Sequence, residues 1–154
     1  DSRLTYRVNP PIRKADDVNA LIDAIKDGTV TCIGTDHAPH TAEEKEKGAA
    51  GMVGLETAFH LLYTYLVKPG VISMQRLMEL LHGNPCRRFG IGPDTGFTVF
   101  DLGAAYQIDP ADFLSCGKAT PFTGWNVEGR CLLTSTGETI AWQDAAHLPE
   151  GGAL

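Results

Sequence analysis

The sequence predicts an α/β fold carrying a small β-rich appendage. Three observations predict it. A β-rich run, an amphipathic helix and a second β-rich run follow one another with short joints between residues 4 and 33. Two strongly apolar helical stretches occupy 55–67 and 74–82. From about residue 92 the helical periodicity gives way to Thr-, Val- and Leu-rich runs broken by Gly and Pro. The expected division is therefore an α/β unit at 1–91 and a β-rich unit with its tail at 92–154.

"LTYRV" (4–8) alternates enough for a short strand, and "NPPIR" (9–13) stops it, because two prolines remove backbone donors and disfavour a helix at Asn9 and Pro10. Over 16–26, Val18, Leu21, Ile22 and Ile25 recur at helical spacing, and Gly28 after Asp27 supplies a left-handed stop. "TVTCI" (29–33) reads as the next strand, and two strands joined by a helix this way run parallel. "TAEEKEKGAAG" (41–51) is charged and then small, as suits an exposed loop. "LETAFHLLYTYLV" (55–67) is apolar on most faces, so a largely buried helix is expected, ended by Lys68-Pro69-Gly70. Ser73 is the expected N-cap of 74–82, and "GNPCRRFGI" (83–91) the break and short stub that follow. "FTVFDL" (97–102) and "RCLLTSTGETIAW" (130–142) are strands, the second folded at Thr136-Gly137. The chain starts abruptly at Asp1, as a piece of something longer would, and "LPEGGAL" reads as a frayed tail.

Composition excludes several classes. With 43% hydrophobic and 21% charged residues the 154-residue chain is an ordinary globular protein, large enough for a core. A net charge of −6 without a basic cluster argues against a nucleic-acid surface. No apolar run is long enough to span a membrane and no signal peptide is recognisable, so a cytoplasmic location is expected. Cys32, Cys86, Cys116 and Cys131 are scattered without a CxxC pair and read as free thiols packed as small hydrophobes.

The stretch "GTDHAPHT" (34–41) concentrates the chemistry-bearing residues. If 29–33 is a strand, Asp36 lies just past its carboxyl end, where α/β enzymes place their sites. A carboxylate there can hold a divalent cation or accept a proton, and it can equally cap its own loop; spacing leaves both open. His37 and His40 are three apart, but Pro39 disfavours the helix that would align them. Asn9 would share the rim with Asp36 in a parallel sheet, and otherwise is a turn residue before Pro10. His60 and His82 fall in predicted helices and read as structural, and His147 as solvated tail. With five histidines and no His-x-His pair, this chain offers no multi-ligand metal site of its own.

N-P-P-x-R at 9–13, T-D-H-A-P-H at 35–40 and G-x-V-G-L-E-T at 51–57, followed by "NPCRRFGI", "FTVFDL", "IDPADFLSCGKATPFTGWNVEGRCLLT" and "GETIAW", closely resemble the carboxy-terminal part of dihydroorotase, a member of the amidohydrolase superfamily. The resemblance covers nearly the whole chain. It implies strands seven and eight, with their helices, of a (β/α)₈ TIM barrel, and a small β-rich appendage. It also implies a zinc-dependent, reversible cyclisation of N-carbamoyl-L-aspartate to L-dihydroorotate in pyrimidine biosynthesis. By that likeness Asp36 is a metal ligand and the catalytic proton carrier. His40 and Asn9 contact substrate, and backbone groups at Ala50 and Gly51 complete a pocket for its carboxylate. The remaining zinc ligands are expected upstream of Asp1, so the isolated chain is expected to be inactive. Its partners would be the small-molecule substrate and, among macromolecules, a second copy or an aspartate transcarbamoylase, with neither nucleic acid nor membrane.

The pattern departs from that family in Ala49-Ala50, where many relatives carry Pro-Phe, and in a short approach to the strand at 97–102. Two other readings compete. Hydantoinases and dihydropyrimidinases resemble D-H-C-P-F at the 36–40 loop, whereas this chain has Ala38 and His40. A non-catalytic dihydroorotase-like scaffold for aspartate transcarbamoylase would tend to lose residues that are retained here, Asp36, His40 and Asn9.

Overall fold

The computed structural model describes residues 6–92 and 95–148; the start of the expected strand at 4–8 and the tail beyond Leu148 lie outside them. The chain is α/β, with a helical half followed by a three-stranded antiparallel sheet ordered β1-β2-β3.

Helix α1 (Ala15–Asp27) forms where the apolar spacing predicts it. Asp16 and Asp17 in its first turn and Lys26 in its last complement the helix dipole, and Gly28 closes it at φ +93°. Its apolar stripe is only partly covered, since Val18 and Leu21 stay exposed while Ile25 packs toward Leu77 and Leu80.

The expected strand at 29–33 is absent, as is any strand over residues 6–8. A strand exists only through a ladder with a neighbour, and the backbone groups at 29–33 are bonded elsewhere. Val30 N–H donates to Ala24 O at 2.9 Å and Ile33 N–H to Leu80 O at 3.1 Å. Arg76 Nη2 donates to Val30 O at 2.8 Å, and Asn84 Nδ2 to Thr31 O at 2.7 Å. Asp36 accordingly follows a run held by helices, not the end of a paired strand.

The expected exposed loop at 41–51 contains helix α2 (Ala42–Glu46). Thr41 and Glu44 cap it reciprocally, Glu44 N–H donating to Thr41 Oγ1 at 3.3 Å and Thr41 N–H to Glu44 Oε2 at 2.8 Å. Lys45 is buried, at 2% exposure.

Helix α3 (Ala58–Leu62) starts later than the apolar pattern suggests and runs on as a π-helical turn (Tyr63–Val67). Its expected burial is only partial: His60 is the one buried residue of these two segments, while Leu61 packs part-buried on the Val53 cluster and Phe59, Leu62, Tyr63, Leu66 and Val67 part-buried on the Leu77 cluster. Ser73 caps α4 (Met74–Met78) as expected, accepting from Arg76 N–H at 3.0 Å. The break expected at Gly83-Asn84-Pro85 does not occur. A π-helical turn (Glu79–Gly83) leads directly into α5 (Asn84–Phe89), with Asn84 N–H donating to Glu79 O. Pro85 sits near the start of α5, and the Leu80 carbonyl, five residues back, accepts from Ile33 N–H in place of the donor that proline lacks.

Strand β1 (Thr98–Gln107) extends past the expected 97–102 and pairs with β2 (Asn126–Thr136), Phe100 opposite Cys131 and Tyr106 opposite Val127. β2 turns through Gly137-Glu138 into β3 (Thr139–Gln143), with Gly137 at φ +60° as a two-residue hairpin loop requires. One core cluster joins Val53 to Ile108, Phe113 and Val127, and another gathers Ile72, Leu77 and Leu80. Phe59 stacks on Phe100 with ring centroids 3.7 Å apart, tying α3 to the sheet. All four cysteines are free, and among the described residues no helix is long and apolar enough to cross a membrane.

Candidate active site

Four segments meet around the 34–40 loop. Ala38 N–H donates to Met52 O at 3.0 Å, laying the loop along the 51–55 segment. A Cβ on Gly54 would stand 2.8 Å from Thr35 O, so only glycine permits this approach. On the other side Gly51 N–H donates to Arg7 O at 3.0 Å. Lys45 Nζ reinforces that junction, donating to Gly51 O at 2.7 Å and to Arg7 O at 2.8 Å. The segment carrying Asn9 is thereby fixed beside Gly51.

Asp36 is exposed and its backbone is left-handed, φ +46°. Aspartate tolerates that region better than most residues, at a cost of roughly 1–2 kcal/mol. Such residues concentrate at functional sites. No hydrogen bond or ion pair engages its carboxylate among the described residues. His40 is half-buried with its ring against Gly51, where a Cβ would stand 2.9 Å from His40 Cδ2 and 2.5 Å from Ala38 O. Its Nδ1 lies 3.7 Å from Glu44 Oε2, leaving the other ring nitrogen without a partner among the described residues. His40, Gly51 and the Arg7 end of the Asn9 segment are therefore brought together. Asn9 and Ala50 are exposed, and neither contacts Asp36 through a hydrogen bond among the described residues.

His37 has a role that the sequence does not disclose. Its Nδ1 accepts from Gly54 N–H and Leu55 N–H, both at 3.1 Å. Two donors on one nitrogen require that nitrogen to be bare, so the proton sits on Nε2. Nε2 is 3.4 Å from Ser115 Oγ, and that hydroxyl donates to Glu56 Oε1 at 2.5 Å. Glu56 also accepts Leu114 N–H at 2.6 Å and Ser115 N–H at 3.1 Å. Burial alone would raise the Glu56 carboxyl pKa, but the Ser115 hydroxyl and the two backbone donors outweigh burial and hold it below the ordinary value. His60, read from sequence as structural, is indeed internal, with Nδ1 2.6 Å from Gly129 O and Nε2 3.0 Å from Glu56 O.

Reasoning from sequence misses Lys45, Glu56 and Ser115. Thr41-x-x-Glu44 could have flagged α2, and so the chance that a lysine there turns inward; nothing local announces Ser115, which lies 59 positions from Glu56.

Among the described residues no three His, Cys, Asp or Glu side chains converge as a metal site. Asp36 offers one unengaged carboxylate, so these residues do not hold a metal by themselves. A cavity of about 650 Å³ lies elsewhere, between α3 and the sheet, with Phe100, Tyr106, Arg130 and Trp142 in its wall and neither Asp36 nor His40. Arg130 in that wall lies 4.2 Å from the Tyr106 ring centre and 3.7 Å from Asp144.

No family model matches the chain. Solved structures define its class. It superposes on the L-hydantoinase (dihydropyrimidinase) from Arthrobacter aurescens with a TM-score of 0.82 at 30% identity, covering 92% of this chain and 35% of that one. For the D-hydantoinase (dihydropyrimidinase) from Thermus sp. the values are 0.84, 25%, 92% and 34%. The fold is that of part of a hydantoinase-type amidohydrolase. In sequence the likeness is to another enzyme name: dihydroorotases from Bacillus cereus (strain AH820) and Bacillus thuringiensis (strain Al Hakam) are each 45% identical over 93% of this chain. The chain is homologous to dihydroorotases along nearly its whole length, and it spans 36% of the length of these curated relatives.

Proposed function

We propose that this chain is the carboxy-terminal segment of a dihydroorotase, an enzyme that interconverts N-carbamoyl-L-aspartate and L-dihydroorotate for pyrimidine biosynthesis. In the complete protein, 4–8 and 29–33 become strands seven and eight of a (β/α)₈ barrel once neighbouring strands supply a ladder. Asp36 then contributes one ligand to zinc, whose other ligands come from outside this segment, and carries the proton to and from the ring nitrogen. His40 and Asn9 bind the substrate carboxylate with the Ala50 backbone, while Gly51, whose N–H donates to Arg7 O and whose carbonyl accepts from Lys45, forms the wall of that pocket and not one of its donors. Such an enzyme works in the cytoplasm, as a homodimer or beside an aspartate transcarbamoylase.

The observation that carries this reading is His40, half-buried on Gly51 with one ring nitrogen unengaged, next to the Asn9 segment. An imidazole with a free ring nitrogen is a charge-assisted partner for a free carboxylate. The hydantoinase-like alternative is favoured by the solved structures that share the fold, but its substrates call for no carboxylate contact at this position.

The test uses the full-length enzyme. Asp36→Asn should lower turnover by at least the ~10²–10⁴-fold typical of acid–base groups. His40→Ala should weaken use of carbamoyl-aspartate by roughly ten- to a hundredfold, the contribution of one charge-assisted hydrogen bond. Its metal content should stay at the parent value, and the loss should shrink for an analogue lacking the carboxylate. An equal penalty with both substrates would favour the hydantoinase reading, and loss of metal would make His40 a ligand.

A further inference from the structure

We infer that the 113–117 loop, which belongs to the β-rich part of the chain, is a positioning element for the candidate active site. Ser115 acts through His37 on the Asp36 backbone, and Gly117 acts on the backbone of His40. The inference rests on the dihydroorotase reading only for the reaction that reports it.

The relay runs in one direction. Gly54 and Leu55 N–H groups point at His37 Nδ1, both at 3.1 Å, so that nitrogen must accept and Nε2 must donate. The acceptor at Nε2 is Ser115 Oγ at 3.4 Å, which is free to accept because its own proton goes to Glu56 Oε1. Glu56 cannot swing away while the Leu114 and Ser115 N–H groups also hold it. Both ends of the relay are thus pinned by backbone, and the member between them, His37, is bonded covalently to the left-handed Asp36. Releasing Nε2 frees the loop to leave that conformation.

Gly117 is an independent handle. A Cβ there would fall within the backbone N, C and O of His40. Gly117 does not have a positive φ, so an alanine there would meet the His40 backbone without backbone strain of its own. One loop therefore holds the proton carrier and the substrate-binding imidazole at separate points, and the two should fail in different ways.

The experiment compares Ser115→Ala, Ser115→Thr and Gly117→Ala in the full-length enzyme, with Asp36→Asn beside them. Ser115→Ala should lower kcat about ten- to a hundredfold, the usual effect of a small misplacement. Its KM should stay within about twofold, since His40 remains held against Gly51 and Gly117. Ser115→Thr, which keeps the hydroxyl, should restore most of the loss. Gly117→Ala should instead raise KM for carbamoyl-aspartate about tenfold, with less effect on an analogue lacking the carboxylate. Nitrogen-15 NMR of His37 supplies a readout that needs no turnover: a neutral ring protonated at Nε2 in the parent, with that proton exchanging faster in Ser115→Ala. A proton on Nδ1, the same kinetic signature for Ser115→Ala and Gly117→Ala, or failure of Ser115→Thr to rescue would overturn the inference. If Asp36→Asn leaves turnover intact, the functional reading fails, and the NMR result still judges the relay.

Discussion

Replacing Lys45 by methionine keeps an unbranched side chain of similar length and removes the ammonium alone. Lys45 is 2% exposed, and its ammonium donates to Arg7 O and Gly51 O at 2.8 and 2.7 Å. Two charge-assisted bonds contribute roughly 3–6 kcal/mol gross. Against them stands the burial of a cation, several kcal/mol by itself. Burial first, and the nearby Arg7 charge second, accordingly depress the Lys45 pKa. After substitution the carbonyl of the exposed Arg7 can turn to water, while that of buried Gly51 stays unpaired, at about 1–3 kcal/mol. The net expectation is a local loss of about 1–3 kcal/mol. Hydrogen–deuterium exchange of Gly51 N–H, bonded to Arg7 O at 3.0 Å, reads it directly in the full-length protein. Protection of that amide should fall roughly five- to 150-fold, the same energy expressed as an equilibrium. Unchanged protection at Gly51 would refute the idea that Lys45 clamps the Asn9 segment, and so would an equal loss at every amide.

Gly51→Ala should be destabilising and should raise KM, because its Cβ would stand 2.5 Å from Ala38 O at a φ of +156°; about 1–3 kcal/mol is the expected strain, read as a lowered melting temperature. His60 gives the protein a pH dependence of known sign. Burial lowers its pKa despite the two carbonyls that favour the charged ring. Once the pH drops below the ordinary histidine value of 6.5, the folded state therefore binds fewer protons than the unfolded one. Stability is full above that value and falls as pH drops toward the folded pKa. Urea unfolding followed at several pH values should show this slope, and it should flatten in His60→Gln. A slope of the opposite sign would mean the ring is charged inside the fold.

Legibility differs between local and non-local features for a physical reason. Helix α1, its Gly28 stop, the Ser73 cap and the Gly137 hairpin rest on side chains close in sequence, and each is readable. The backbone state of 29–33 is not, because β-propensity says only that a segment suits a ladder. Here Ala24, Arg76, Leu80 and Asn84 satisfy that backbone instead. The run through Asn84-Pro85 misleads because a proline reads as a break, whereas Ile33 N–H takes the place of the donor it lacks. In the site, the identity of the 34–40 loop is legible, but the roles of its two histidines are not. Both are imidazoles in a proline-containing loop. Only the three-dimensional arrival of Gly54, Leu55 and Ser115 makes His37 a fastener, while Gly51 leaves His40 a free nitrogen.

That division of labour bears on where the site's geometry originates. Asp36 in a left-handed conformation is a cost that something must offset, and the offset does not come from a β-ladder, since 29–33 has none here. It comes from contacts to 51–56 and 114–117, every one made by residues of this segment. Lys45 extends the same scheme to the Asn9 side through Arg7 O. The loop that carries the candidate chemistry is therefore shaped by its own flanks, and neighbouring strands can add a ladder beneath it without remaking it. What remains for the Asp36 carboxylate is chemical: it is presented by a loop that is already shaped, and none of the described residues engages it.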